Sequence, residues 1–106
     1  MYDHNQLEVP ESFMALFLVP GRLKPAASRE HVTARYELCE DLANHLDAYA
    51  QAHHHDLGIA QSEVLRRCHE GLLAEASGVS APEAQWVVRR LAELAGWDGP
   101  EPDAPT

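Results

Sequence analysis

The stretch that decides the fold reads SREHVTARYELCEDLANHLDAYAQAHHHDLG and covers residues 28–58. Within it, apolar and small residues recur at alternating steps of four and three, which is the spacing of one buried face of an α-helix. The predicted face consists of Val32, Tyr36, Cys39, Ala43, Leu46, Ala50 and His53, with Leu38, Leu42 and Tyr49 widening it. Acidic residues occupy the intervening positions, so the pattern predicts a helix of about seven or eight turns with a charged outer face.

Three glycines, each followed by an apolar residue, divide the chain into helices: Gly58-Ile59, Gly78-Val79 and Gly96-Trp97. Glycine readily adopts the left-handed conformation just past a helix end, and the next apolar residue then folds back onto the last turn. The long helix is therefore predicted to end near Leu57. Two medium helices are predicted to end before Gly78 and Gly96.

Serine residues mark where these helices are expected to begin. Ser28 and Ser62 each offer an N-cap oxygen, and residues 80–83, SAPE, form a complete capping box with proline in the first turn. The expected inward residues of the two medium helices are Val64, Leu65, Cys68, Leu72 and Leu73, then Ala84, Val87, Val88, Leu91 and Leu94 or Ala95.

A short apolar helix is predicted near the N-terminus, opened by Pro10 and ended by Pro20-Gly21 after about three turns. We therefore expect an all-α protein, a small helical bundle with one short N-terminal helix, a long helix and two medium helices. The predicted organisation is a flexible arm over residues 1–9, a single helical domain over 10–97 and a disordered, proline-rich acidic tail over 98–106.

The chain of 106 residues carries 17 acidic and 8 basic residues, for a formal net charge of −9. Such a surface repels phosphate backbones and anionic lipids, which disfavours nucleic acid and membrane partners. Two cysteines are too few for a disulfide scaffold, and the sequence has no basic signal start and no apolar run of membrane length. We expect a cytoplasmic protein.

Three consecutive histidines begin at His53, at the predicted end of the long helix. If the next helix packs back antiparallel about Gly58, Cys68 and His69 lie about 9 to 11 Å from the turn, level with His53 and His54. These four residues form a candidate zinc site, because zinc prefers imidazole and thiolate ligands. The alternative is that the histidines satisfy and solvate a helix C-terminus, since no pair among them has the i, i+4 spacing of helical two-histidine sites.

Residues 72–91, LLAEASGVSAPEAQWVVRRL, resemble a DNA-binding helix-turn-helix in the placement of small, glycine and packing residues. On that alternative, the second helix lies in the major groove and presents Gln85, Arg89 and Arg90 to DNA. Glu83 would then face phosphates, and the chain lacks the basic footprint of specific DNA binders.

No nucleophile-elbow, phosphate-loop or zinc-protease motif occurs in the sequence, so we expect a non-enzymatic protein without a cofactor. The candidate interaction residues are apolar or aromatic: Phe13, Met14, Phe17, Leu18, Trp86 and Trp97. They either complete the core of a small protein or form an exposed patch of the kind that marks interfaces. The favoured interpretation is a protein–protein interaction module that binds a protein partner or pairs as a homodimer.

The sequence resembles a group of short, largely uncharacterised proteobacterial proteins over residues 9–97, in four blocks: PESFMALFLVPGRLKP, RYELCEDLANHL, HHDLGI and WVVRRLAELAGW. Some members of this group carry the label of an ATPase with chaperone activity. Because the chain has no ATP-binding motif, the resemblance implies association with such a machine rather than hydrolysis. It carries over no catalytic residue.

Overall fold

The computed structural model of the chain describes residues 9–18 and 27–97. Within these ranges the protein is all-α, with a short N-terminal helix, one long helix and two medium helices, so the predicted fold class is confirmed. The predicted arm, apart from Val9, and the predicted tail over residues 98–106 lie outside the described residues.

The helices are α1 (Glu11–Met14), α2 (Arg29–Leu57), α3 (Gln61–Leu73) and α4 (Ala81–Ala95). A 3-10 turn follows α1 at Ala15–Phe17, and another precedes α4 at Glu75–Ser77. The chain is grouped into two compact units, one ending at Leu38 and the other beginning at Cys39, so α2 contributes to both. The single domain over residues 10–97 stays a prediction.

The first unit is built around Phe13, whose side chain is fully buried. Its ring centroid lies 5.6 Å from that of Tyr36 and 5.5 Å from that of Phe17. Val32 of α2 is buried in the same unit. Tilted and edge-on ring contacts of this kind are favourable beyond the burial of the rings themselves. A helix as short as α1 is not stable alone, so this packing is what holds it.

The N-terminal helix is shorter than the three turns predicted for it. α1 ends at Met14, the 3-10 turn continues to Phe17, and Leu18 is extended, with ψ of 141°. In the sequence, Val19 precedes a proline. The residue before a proline is sterically disfavoured in the helical conformation, so helices usually end at or before that position.

Both ends of α2 lie where the sequence predicts them. The Ser28 Oγ accepts a hydrogen bond from the His31 backbone N–H at 3.1 Å, which is the expected N-cap contact. After the last turn, Gly58 adopts a φ of +71°, and the Ile59 N–H donates to the His53 carbonyl oxygen at 3.3 Å. This is the hydrogen bonding of a glycine C-cap, so the first glycine-plus-apolar pair ends the helix as predicted.

Helix α4 has the most complete terminal signals. The Ser80 Oγ accepts from the Glu83 N–H at 3.2 Å, and the Glu83 carboxylate accepts from the Ser80 N–H at 2.9 Å, so the capping box is confirmed. At the other end, Gly96 has a φ of +78°, and the Trp97 N–H donates to the Ala92 carbonyl oxygen at 2.8 Å. The third glycine therefore ends α4 as predicted.

Both ends of α3 differ from the prediction. The helix begins at Gln61 with Ala60 at the N-cap position, so the predicted capping role of Ser62 is wrong. An N-cap residue is extended, and Ala60, with ψ of 145°, is the residue that takes this conformation. The helix ends at Leu73, because the next residue, Ala74, is extended. Gly78 therefore ends the second 3-10 turn and not α3.

The core of the second unit is formed by α2, α3 and α4, with α3 packing most closely against α4. Its buried apolar residues are Cys39, Ala43, Ala50, Val64, Leu65, Cys68, Leu72, Ala84, Trp86, Val87, Val88, Leu91 and Ala92. Leu38, Tyr49 and Leu73 were predicted to face inward and are exposed, so that prediction is wrong for them. Consecutive helix residues point about 100° apart, so Leu73 points away from the side on which Leu72 is buried.

We expect Ser80→Ala to lower the free energy of unfolding by about 1 kcal/mol, because it removes the acceptor for the Glu83 N–H. Ser62→Ala is the matched control, since Ser62 is exposed inside α3 and alanine is the better helix former. That control should change the stability by less than about 0.5 kcal/mol. Urea denaturation followed by circular dichroism measures both changes, and equal losses would contradict the assigned N-cap.

Candidate functional site

The histidines at the end of α2 make local contacts within the second unit. The His53 Nδ1 donates to the Tyr49 carbonyl oxygen at 2.9 Å, and the two rings are in tilted contact with centroids 3.9 Å apart. The His54 Nδ1 donates to the Ile59 carbonyl oxygen at 2.8 Å, and its ring lies edge-on to Trp97 at 5.2 Å. The His54 imidazole thus satisfies a carbonyl group just beyond the helix end, as the alternative to metal binding predicts, whereas His53 bonds to a carbonyl group inside α2.

The predicted zinc site is not formed in residues 9–18 and 27–97, because no group of three or more His, Cys, Asp or Glu side chains there is arranged to hold a metal ion. Cys68 is buried, and burial raises the pKa of its thiol, which disfavours the thiolate that zinc binds. The structure therefore does not support His53, His54, Cys68 and His69 as a common ligand set.

The connection between α3 and α4 differs from that of a DNA-binding helix-turn-helix. It runs over residues 74–80, whereas the turn of that motif has three or four residues. Ala74, which the resemblance matches to the small residue of the motif, is extended. The likeness of residues 72–91 to this motif is therefore a likeness of sequence alone.

Carboxylates neutralise the charge of Arg90, the arginine that would complete a basic face on α4. The Arg90 Nε and Nη2 donate to the two carboxylate oxygens of Glu40, each at 2.9 Å, and Nη1 donates to Glu93 at 3.1 Å. Gln85 and Arg89 are exposed. The DNA-binding alternative needs Arg90 as a contact residue, but Glu40 of α2 and Glu93 already bind its guanidinium.

Arginines of α3 are paired in the same way. Arg66 and Arg67 donate to Glu63, which lowers the pKa of the Glu63 carboxyl to about 2, with the hydrogen bond from Arg66 as the largest cause. Arg66 also pairs with Glu70. These cations are therefore neutralised within the helix, which leaves the surface of the described part of α3 without a basic patch.

The half-buried Glu40–Arg90 pair is expected to give a coupling of about 1 kcal/mol in a double-mutant cycle, because a bidentate pair is strong and geometrically fixed. The cycle compares Glu40→Gln, Arg90→Gln and the double variant by urea denaturation. The exposed Arg66–Glu70 pair is the control, with an expected coupling of about 0.4 kcal/mol. Equal couplings would show that the Arg90 contact is only a surface ion pair.

Two of the predicted interaction residues are core residues. Phe13 is 0% exposed and Trp86 is 8% exposed, so neither has a surface to offer a partner, and the interface prediction is wrong for both. Phe13 is enclosed by other aromatic rings, and α4 buries a wider face than its periodicity predicts. The remaining predicted residues keep surface: Met14, Phe17 and Trp97 are half-buried, and Leu18 is exposed.

A row of side chains along α2 lies on the surface of the second unit. It consists of Leu42, His45, Tyr49 and Ala52, and we name it the α2 stripe. Leu42 is half-buried and the other three are exposed. The periodicity of α2 predicts Leu42 and Tyr49 on the buried face, but Leu42 is half-buried and Tyr49 is exposed. Leu42 and Tyr49 each come immediately before a buried alanine, Ala43 or Ala50. They therefore belong to a second helical row, which has its own steps of three and four residues, and this row is the sequence signal that distinguishes them from the buried face.

Compared with known proteins, the chain matches no protein-family model, no curated protein and no solved structure. No helix in the described ranges combines the length and the apolarity that crossing a lipid bilayer requires.

Proposed function

We propose that this protein is a non-enzymatic protein–protein interaction module of the cytoplasm. The observation that carries the proposal is Tyr49, a large aromatic side chain that is 43% exposed in the middle of the α2 stripe. Tyrosine is enriched in the centres of interfaces, because it combines a large apolar area with a hydroxyl group that hydrogen-bonds. The two buried free cysteines, Cys39 and Cys68, suit a reducing compartment.

The Tyr49 ring is suited to binding because it is held before a partner arrives. Its contact with the His53 ring, at 3.9 Å between centroids and 36° between the ring planes, limits the orientations that the ring can take. The His53 ring is fixed in turn by its hydrogen bond to the Tyr49 carbonyl oxygen. A side chain that is ordered in the free protein loses less conformational entropy on binding, which favours affinity.

The shape and charge of the surface favour a helical or flat partner surface. The α2 stripe is a helix face, and helix faces bind other helices through residues three and four positions apart. The acidic balance of the chain, −9, favours a neutral or basic partner through long-range attraction. The resemblance to proteins labelled as ATPases with chaperone activity supports a role as an accessory or regulator of such a larger assembly.

Affinity capture from a native lysate of the source organism tests this function, with wild type, Tyr49→Glu and Leu73→Glu as baits. Both variants replace an exposed apolar side chain by the same carboxylate, so their net charges are equal, and Leu73 is 49% exposed on α3. We expect Tyr49→Glu to reduce recovery of the specific partner at least about tenfold, and Leu73→Glu to retain it. Equal recovery by all three baits, or capture of nothing, would count against the proposal.

A further inference from the structure

We propose that the α2 stripe binds a basic amphipathic helix of another protein, with lysine or arginine at two positions about four turns apart. This inference rests on the proposed function, because it states the chemistry of a partner for the same surface. Two observations support it. The net negative charge of helices α2, α3 and α4 lies on α2, and two uncompensated carboxylates lie on either side of Tyr49 along the stripe.

The negative charge of the helices in the second unit lies on α2. Helices α3 and α4 each carry two carboxylates and two guanidinium groups, and those of α3 pair with one another. Between Cys39 and Leu57, α2 has four carboxylates and no lysine or arginine. Of these four, only Glu40 is paired with an arginine among the described residues. A cationic partner is therefore attracted to α2 rather than to α3 or α4.

Two of these carboxylates, Asp41 and Asp56, are exposed near the two ends of the α2 stripe. Asp56 continues the stripe four residues after Ala52, and Asp41 lies on its flank, next to Leu42. Neither carboxylate forms an ion pair with a residue that the structure describes. They lie about 22 Å apart along the helix axis, with Tyr49 between them. Both are therefore available to the cations of one partner that lies along α2.

The stripe between these carboxylates has the spacing of a surface that packs along another helix. Residues at steps of three, four and three stay on one side of a helix and contact a partner helix along a common seam. Such a partner places apolar side chains against Leu42 and Tyr49. Its own residues about four turns apart share a face, so two basic side chains at that spacing reach Asp41 and Asp56 together.

The middle of the stripe also suits a hydrogen-bond donor. The His45 Nδ1 donates to the Asp41 carbonyl oxygen at 3.0 Å. Because that nitrogen carries the proton of the neutral ring, Nε2 is left as an acceptor. His45 is exposed, and its Nε2 has no hydrogen bond with the described part of the chain. Lysine and arginine side chains donate and do not accept, so a basic partner matches this ring as well as the carboxylates.

A partner without basic residues does not match this surface. It would cover Asp56 without offering a counter-charge, and taking a carboxylate out of water in that way is unfavourable. A second copy of this chain has the same difficulty, because its α2 presents the same carboxylates and has no lysine or arginine between Cys39 and Leu57. Nucleic acid and anionic lipid are repelled by the same charges. The chemistry therefore favours a basic helix of a different protein.

Synthetic peptides test this chemistry on the full chain. Two alanine-rich helical peptides of about eighteen residues have leucine at steps of three and four, and carry either lysine or glutamate at two positions about four turns apart. Fluorescence anisotropy measures their binding at up to about 500 µM protein. We expect the lysine peptide to bind at least about tenfold more tightly than the glutamate peptide. Equal affinities, or no binding of the lysine peptide in this range, would overturn the inference.

An uncharged substitution at Tyr49 then tests whether the lysine peptide binds at the stripe. We expect Tyr49→Gln to raise its dissociation constant at least about fivefold, because the peptide loses its largest apolar contact. Leu73→Gln is the matched control on α3 and should leave the constant within about twofold. Circular dichroism shows whether each variant keeps its helices. Equal binding by both variants would mean that net charge alone holds the peptide, and the inference would be wrong.

Neutral variants of the carboxylates test the charge pattern. We expect Asp41→Asn/Asp56→Asn to raise the dissociation constant of the lysine peptide about fivefold, because two ion pairs are lost. The control Glu30→Gln/Glu75→Gln has the same net charge, but its changes lie outside the stripe. It should change the constant by less than about twofold. Equal losses in the two double variants would contradict the assigned positions of the basic residues.

The two proposals fail differently. If Tyr49→Glu loses a partner from the lysate while the lysine peptide does not bind at the stripe, the basic helix is wrong and the interaction function stands. If the lysine peptide binds through Tyr49 while lysate capture recovers nothing that depends on Tyr49, the chemistry of the stripe stands and the interaction function is wrong.

Discussion

Leu91→Ala is expected to lower the free energy of unfolding by about 3 kcal/mol, a large part of the stability of a small protein. Leu91 is fully buried, and it is among the largest side chains that the second unit encloses completely. Shortening it removes apolar contacts and leaves a cavity on the inward face of α4. Urea denaturation followed by circular dichroism measures the change.

Leu73→Ala is the matched control for this result. It makes the same chemical change at a leucine that is half exposed on α3. We expect it to cost less than about 0.5 kcal/mol, because little apolar area leaves the core. A Leu91 variant with a loss as small as the control would mean that α4 packs on the second unit through another face.

Phe13→Ala is expected to destabilise the first unit by about 3 kcal/mol, because the Phe13 ring is its centre and contacts Tyr36 and Phe17. Hydrogen exchange of residues 9–18 measures the effect directly, since these amides exchange faster when the packing around α1 is lost. Leu18→Ala removes an exposed side chain from the same segment and serves as the control.

This prediction also separates a core role from an interface role for Phe13. If Phe13 is a core residue, its truncation lowers the stability of the first unit and affects capture of a partner only through unfolding. If Phe13→Ala leaves hydrogen exchange unchanged and still abolishes capture, Phe13 is a contact residue and its placement in the core is wrong.

Helix ends were predictable where their signals lie within a few residues. The Ser80–Glu83 box and the turn at Gly96 depend on backbone groups one turn apart, so the sequence determines them locally. The predicted N-cap at Ser62 is wrong because the position of an N-cap depends on which residue before the helix is extended. The geometry of the turn after Gly58 gives that conformation to Ala60.

The direction of each helix face was predictable, but its width was not. Periodicity assigned Leu42 and Tyr49 to the face that buries Ala43 and Ala50, since neighbouring residues differ by about 100°. How much of that arc is covered depends on the helices that pack there. The sequence of one helix does not contain this information, so its periodicity predicts burial for Leu42 and Tyr49 of the α2 stripe.

The contacts of the candidate site could not be predicted from the sequence, because they depend on residues far apart in the chain and on the orientations of side-chain rings. Glu40 and Arg90 are fifty residues apart in the chain, and their ion pair compensates the charge on which the DNA-binding alternative depended. The histidines were predicted to lie at a helix end, and they do. The sequence left open whether their ring nitrogens meet a metal or carbonyl groups, because residue spacing does not define side-chain torsions.

The different surroundings of the two tryptophans give the second unit two built-in optical reporters. Trp86 is almost fully buried, whereas Trp97 is half-buried with its ring against His54. The emission of Trp86 should therefore lie at shorter wavelength than that of Trp97. Two single-tryptophan variants, with phenylalanine at the other position, would then follow the melting of the core and the fraying of the α2 and α4 ends as separate fluorescence signals.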